Sequence, residues 1–214
     1  MAVGLALMMN IKIPINFNSP YKANSIIDFW RRWHISLSYF LKQYLYISLG
    51  GSRKGLHRKY FNLLLTMLLG GIWHGAGYTY LIWGAMHGSY LCINHMSRQL
   101  KLKINKNISW LITFLAVTIS WVVFRAKDAN DAGDILSSMF ALRNFSYDTP
   151  NIINSEFYIF LIISFILWLK NGPNTRQVAV TRKTNFLVSA FCAIILYISI
   201  LNFNKVTEFI YFQF

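Results

Sequence analysis

Carboxylates are scarce in this chain. Its 214 residues contain 7 Asp and Glu against 21 Lys and Arg, and no acid lies between Asp28 and Asp128. That acid-free stretch holds His34, His57, His74, His87 and His95, so paired-carboxylate catalysis is excluded where the histidines are. A Ser-His-Asp triad is excluded too, because there is neither an orienting acid nor a GxSxG elbow. Cysteine is equally thin: Cys92 and Cys192 lie in apolar runs without CxxC or Cys/His spacing, and they read as small core residues. No HxxxH pair places two histidines on one helical face, so a metal site is not expected. The glycine-rich run Gly50-Gly51-Ser52-Arg53-Lys54-Gly55 is not GxxxxGK[ST] and follows a helix-like segment, so it reads as a basic interfacial turn. The opening residues 1–9 are apolar but lack a basic n-region and a small-residue cleavage site. They resemble the tail of a membrane helix in progress, so the chain is expected to begin inside a longer protein.

What is abundant is apolar surface: 55% of residues are hydrophobic, 17% aromatic and only 13% charged, with a positive mean hydropathy of +0.39. That balance exceeds an ordinary soluble domain. An excess of Lys and Arg can mark nucleic-acid binding, but basic clusters separated by apolar runs fit cytoplasmic loops instead. Apolar stretches recur at 61–73, 78–93, 108–124, 157–169 and 186–203. Two of these approach the roughly 20 residues of a simple span, and the shorter ones read as tilted or re-entrant pieces. The basic clusters are Arg53, Lys54, Arg58 and Lys59, then Arg98, Lys101, Lys103 and Lys106, then Lys170, Arg176, Arg182 and Lys183. All three fall on one side if the stretches alternate in direction, which makes that side cytoplasmic. Asp128, Asp131, Asp134, Asp148 and Glu156 are then left in an outer loop, and Phe214 also lies outside. The expected fold is therefore all-α, a polytopic membrane bundle with interfacial and re-entrant helices.

Residues 25–47 differ, being rich in aromatics yet interrupted by Asp28, Arg31, Arg32, His34 and Lys42. They read as an interfacial helix with Ser25 as N-cap. Arg31 and Arg32 are placed to meet lipid phosphates or, alternatively, a phosphate-bearing donor. His57 and His95 lie among basic residues and read as solvated or lipid-facing. His74 and His87 stand in apolar surroundings, each followed by glycine. Such histidines are either functional or satisfied by hydrogen bonds between helices, and burial favours the neutral imidazole that a general base requires.

Several blocks in fixed order carry a resemblance: Phe29-Trp30-Arg31-Arg32-Trp33-His34-Ile35-Ser36, then Tyr44-Leu45-Tyr46-Ile47, Gly50-Gly51-Ser52-Arg53, Gly70-Gly71-Ile72-Trp73-His74-Gly75 and Trp83-Gly84-Ala85-Met86-His87-Gly88. Trp121-Val122-Val123-Phe124-Arg125-Ala126 and the ending Phe209-Ile210-Tyr211-Phe212-Gln213-Phe214 continue it. The sequence resembles the membrane-bound O-acyltransferase family, in the bacterial branch concerned with alginate O-acetylation and D-alanyl transfer. Members are longer, so the resemblance makes residues 1–214 the C-terminal part of such a domain, with an N-terminal half absent. It implies a bundle around a tunnel in the bacterial cytoplasmic membrane, with His74 at the narrow centre and His34 beside the reaction. It further implies transfer of an acyl group from a cytoplasmic thioester, acetyl-CoA, to a cell-surface polysaccharide, with no tightly bound cofactor. Membrane lipid, an extracytoplasmic acyltransferase and the polysaccharide are the implied partners, and nucleic acid is not among them. Arg31, Arg32 and Arg53 become contacts for the donor's phosphates. Tyr211 becomes an acyl relay, since a phenol of pKa near 10 leaves more readily than a sugar hydroxyl; an aromatic membrane anchor is the other reading of that tail. D-alanyl transfer from a carrier-protein thioester, or a non-catalytic scaffold for a partner enzyme, are the competing functions.

Overall fold

A computed structural model of the chain describes residues 2–140 and isolated positions at 162, 164–166, 170, 172, 190, 193, 194 and 197. The chain divides into two compact units, Met1–Gly172 and Pro173–Phe214. In the second unit the described positions Ala190, Ala193, Ile194 and Tyr197 are helical.

The first unit is all-helical among its described residues. Helix α1 spans Ala2–Met8 and α2 spans Ile26–Trp30, while α3, at Ile35–Phe40, runs on into a π-helical turn at Leu41–Tyr46. Three long helices follow, α4 at Leu56–His74, α5 at Tyr78–Gln99 and α6 at Lys106–Arg125, and then α7 at Ala129–Phe140. Ser25 caps α2 as expected, its hydroxyl accepting the Asp28 N–H at 3.1 Å. The expected single helix over 25–47 is instead broken at residues 31–34. His34 adopts a left-handed conformation with φ of 42°, costly for a side chain with a Cβ. An extended strap on the N-terminal side takes up the backbone groups this break releases. Ile35 N–H donates to the Asn16 carbonyl at 3.0 Å, Asn18 N–H donates to the Arg32 carbonyl at 2.9 Å, and the Asn16 side chain accepts Ser36 N–H at 2.9 Å.

Helices α4 and α5 form a tight hairpin, and glycine is what permits it. A Cβ on Gly84 would lie 2.5 Å from the Met67 carbonyl oxygen, and one on Gly88 would lie 3.0 Å from the Leu64 Cα. One on Gly71 would collide with the Tyr80 carbonyl. Backbone therefore meets backbone along the seam, the close approach that small residues allow between membrane helices. Around it, Ile26, Phe29 and Trp30 of α2 pack with Met67 of α4, Trp83 and Leu91 of α5 and Val117 of α6 in one buried cluster.

The outer surface is apolar. Leu111, Ile112 and Leu115 of α6 are 47%, 55% and 47% exposed, a surface suited to lipid. Three hydroxyls of α6 are satisfied within the helix: Thr113, Thr118 and Ser120 donate to the carbonyls of Ser109, Phe114 and Ala116 at 2.8–2.9 Å. Among the described residues α6 is the one helix both long and apolar enough to cross a membrane alone. The stretches expected at 61–73 and 78–93 are helical as parts of α4 and α5, whose length matches a bilayer but whose polar residues lower their hydropathy. Those expected at 157–169 and 186–203 lie largely outside the described residues.

The acids expected in an outer loop partly build a helix instead. Asp128 accepts the Asp131 N–H at 2.8 Å and Asp131 accepts the Lys127 N–H at 2.9 Å, a reciprocal cap that starts α7.

Gly84→Ala drives a methyl group against the Met67 carbonyl, and overpacking of this kind costs about 1–3 kcal/mol. The expected outcome is a lower melting temperature in detergent than for Ala85→Gly on the same helix. Equal melting of the two variants would show that the seam is not tight.

Candidate active site

His74 is the last residue of α4, where the helix ends at Gly75. Its ring meets Trp73, Trp83 and Phe124 edge to face at centroid distances of 5.1, 5.3 and 5.4 Å. Gly75 follows because its Cα lies under the Tyr80 ring, where a Cβ would stand 2.5 Å from Cε2. His34 reaches the same region from the break between α2 and α3. Trp33, next to His34, meets Trp121, whose ring lies 5.6 Å from that of Phe124 in the wall of His74. His34 Nδ1 is buried without a hydrogen-bond partner among the described residues. Burial pushes the His34 imidazole below the usual histidine range, and its own backbone partly offsets this. Trp33, adjacent in sequence, packs on Phe17 at 4.9 Å and Trp121 at 4.8 Å, so the strap and α6 both brace this corner.

Below this aromatic region lies a cavity of about 530 Å³ whose lining includes Trp30, Arg31, Lys42, Tyr46, Lys59 and His95. Its polar character is cationic, and none of its lining residues is an acid. Lys59 belongs to the basic cluster that loop charge places on the cytoplasmic side. Along α4, the 15 residues from Lys59 to His74 rise roughly 22 Å at about 1.5 Å per residue. The arrangement therefore has positive charge at one end and histidines at the other.

The structure treats the three sequence-derived arginines differently. Arg31 lines the cavity. Arg32 turns to Asp28, its Nε 3.0 Å from the carboxylate, and also reaches the Asn18 carbonyl at 3.4 Å. Arg53 is exposed in the turn before α4 and is not among the cavity residues. Tyr211 lies outside the described residues. Lys42, Lys59 and His95 line the cavity although sequence reasoning assigned them no site role. His95, read as solvated or lipid-facing, is only partly exposed there. Lys42 stands in the π-helical turn, which has no signature in the sequence. His87, left open between function and structure, is completely buried and bonded to Trp30, whose indole N–H donates to His87 Nδ1 at 3.2 Å. Among the described residues no group of three or more His, Cys, Asp or Glu could hold a metal ion.

The glycine-rich turn is built into the cavity wall. Gly50 and Gly51 have φ of 100° and 55°, and buried Asn62 of α4 donates from its amide to the Leu49 and Gly51 carbonyls at 3.2 and 2.9 Å. The next residue, Ser52, lines the cavity beside Tyr46; burial raises the Tyr46 phenol above its usual value, with a hydrogen bond to Ser52 opposing that shift.

The class these features define is, among the described residues, an all-helical protein with lipid-suited outer faces, a histidine set in an aromatic corner and a cationic cavity. The profile of the membrane-bound O-acyltransferase family matches residues 1–128, and the chain belongs to that family. It is 51% identical over 150 residues to a peptidoglycan O-acetyltransferase of Helicobacter pylori, covering 68% of this chain and 28% of that protein. It is 48% identical over 155 residues to a probable alginate O-acetylase of Pseudomonas aeruginosa, covering 72% and 30%. A teichoic acid D-alanyltransferase of Bacillus subtilis is 34% identical over 136 residues, covering 56% and 32%. The matched stretch thus spans under a third of each of these relatives.

Asn62→Ala leaves two loop carbonyls without their donor, at a cost of about 1–3 kcal/mol. The expected result is faster trypsin cleavage after Arg53 and Lys54, read by gel against the parent protein. Unchanged cleavage would mean that the turn is held by other contacts.

Proposed function

We propose that this chain is the C-terminal part of a multi-pass O-acyltransferase of the bacterial cytoplasmic membrane, moving an acetyl group from a cytoplasmic thioester to a hydroxyl of a cell-surface polysaccharide. The observation that carries the reading is the placement of His74 in an aromatic corner of Trp73, Trp83 and Phe124, with a cavity lined by Arg31, Lys42 and Lys59 in the same helical unit. An elongated donor with anionic groups at one end and a thioester at the other fits that polarity, and acetyl-CoA has this form. Arg31 and the two lysines would take its phosphates, while Arg32 holds the α2 end through Asp28. Arg53, in the same basic turn region, would meet phosphate or lipid headgroups from outside the cavity.

In this reading His74 is the general base. Its imidazole takes the acceptor's hydroxyl proton as the oxygen attacks the thioester carbonyl. The C–S bond then breaks, the ester forms and the thiolate leaves to be protonated. With no acid beside it in sequence, the tautomer of His74 is set by a backbone carbonyl, a hydroxyl or a group from the rest of the family's domain. His34 positions the thioester or stabilises the charge developing on its oxygen. Higher identity to the two O-acetylases than to the D-alanyltransferase favours acetyl over D-alanyl as the cargo, although the latter relative keeps a carrier-borne D-alanyl donor as the second reading. The acceptor is a polysaccharide such as alginate or peptidoglycan, reached directly or through an extracytoplasmic partner acyltransferase. Tyr211 is proposed as the acyl relay on that outer side.

His74→Ala is expected to reduce ester-linked acyl groups on the cell surface by about 100-fold to 10,000-fold, with normal abundance in the membrane. His34→Ala is expected to reduce them less. Wild-type acylation by His74→Ala would overturn the assignment, and equal loss on mutating every histidine would indicate misfolding instead.

Tyr211→Phe removes only the phenolic oxygen, so a relay requires loss of surface acylation at normal protein level. Full acylation by Tyr211→Phe, with harm confined to alanine at Phe209 or Phe214, would identify the tail as an aromatic anchor.

A further inference from the structure

His87 is wholly buried yet lines neither the cavity nor any open surface. Its neighbours are aromatic: Phe29 lies parallel at 6.1 Å, Trp30 edge-on at 5.2 Å, Trp83 at 4.8 Å and Tyr90 at 5.8 Å. Because Trp30 N–H donates to Nδ1, Nδ1 is the unprotonated nitrogen and the neutral ring carries its proton on Nε2. Nε2 has no hydrogen-bond partner among the described residues. A hydrocarbon side chain of similar size would fill this place without burying a lone N–H, so the imidazole is informative through the one bond it does make. That bond joins α2 to α5 at a particular point. Trp30 also lines the cavity, and the other neighbour, Trp83, forms the wall of His74 at 5.3 Å.

We propose that His87 is a positioning residue that, through its hydrogen bond from Trp30 and its packing on Trp83, fixes the wall between the cavity and His74. It touches no reacting atom. This rests on the reading of His74 as the base, and it adds that the register of the wall depends on an acceptor at the His87 Nδ1 position. If Trp30 loses that acceptor, its indole turns and Trp83 loses the edge that orients the His74 ring. A misplacement of about 1 Å at a reacting centre costs on the order of 100-fold.

The test compares His87→Phe, His87→Asn, Trp30→Phe and the Trp30→Phe/His87→Phe double variant in the full-length protein in cells. Ester-linked acyl groups released from the cell surface are measured, with membrane abundance by immunoblot and His74→Ala in parallel. His87→Phe keeps an aromatic ring but no acceptor, and it should lose on the order of 10-fold to 100-fold in acylation at normal abundance. His87→Asn places an amide oxygen near the Nδ1 position and should restore most of the activity. Trp30→Phe should lose activity like His87→Phe, and the double variant should be no worse than either, because both remove the same bond. If His87→Phe does not accumulate, Trp30→Phe and His87→Asn still decide. Wild-type acylation by Trp30→Phe, additive losses in the double variant, or His87→Asn as inactive as His74→Ala would each overturn the positioning role. An active His74→Ala would instead overturn the general-base reading, whereas an inactive His74→Ala beside a fully active His87→Phe would overturn only the inference about His87.

Discussion

Backbone contact between α4 and α5 is the constraint on which the rest of the described structure depends. With Gly71, Gly84 and Gly88 supplying no side chains at the crossing, the helices come close enough that residues on their flanks are forced together. His74 at the end of α4 is thereby laid against Trp83, one and a half turns into α5. Lys59 and His95, at the other end of the same pair, come to face one cavity. A wider separation would leave room for lipid or water between these groups. Both ends of the candidate site thus follow from three positions where the only useful property is absence of a Cβ.

Much of this was legible in the sequence because it rests on residue type and local spacing. Helical character over 61–73, 78–93 and 108–124 follows from apolar runs of the appropriate length, and Ser25 announces the start of α2. His74 and His87 stand out because ionisable groups in apolar surroundings are rare, whereas His34 became a candidate through the Trp30-Arg31-Arg32-Trp33-His34 block of the family resemblance. What escaped were features fixed by distant partners. The break at His34 is stabilised by Asn16 and Asn18, remote from the aromatic segment whose pattern reads as continuous helix. The pairing of Arg32 with Asp28 was visible as an i, i+4 spacing, yet whether a guanidinium turns along its helix or toward a ligand depends on the cavity beyond it. Lys42 read as an interruption of the aromatic segment and Lys59 as a member of a basic cluster, because nothing in their neighbours foretells a π-helical turn or a shared lining.

The cavity and the histidine corner differ in what holds them. The corner is aromatic, linked by a tilted contact of Trp33 on Trp121, a stacked one of Trp121 on Trp83 and an edge-to-face one of Trp83 on His74. These contacts give orientation without charge. The cavity is cationic and bordered by the turn that Asn62 pins. A low-acid sequence marks both: none of the residues lining the cavity is an acid, and no acid lies between Asp28 and Asp128, the stretch that holds the histidines.

The glycine seam also bears on how the chain reaches its place during synthesis. In the multi-pass reading, α4 and α5 are joined by a turn of three residues, 75–77, and among the described residues neither matches α6 in apolarity. Each carries polar groups that are buried in the folded protein: Thr66 and Asn62 on α4, Thr79 and His87 on α5. Emerging from the ribosome in succession, the two helices therefore enter lipid most favourably as a folded pair, with the close-packed seam formed before either meets the acyl chains. A methyl group at that seam would penalise integration itself, and its effect would register as degradation of newly made chains before any catalytic defect was seen.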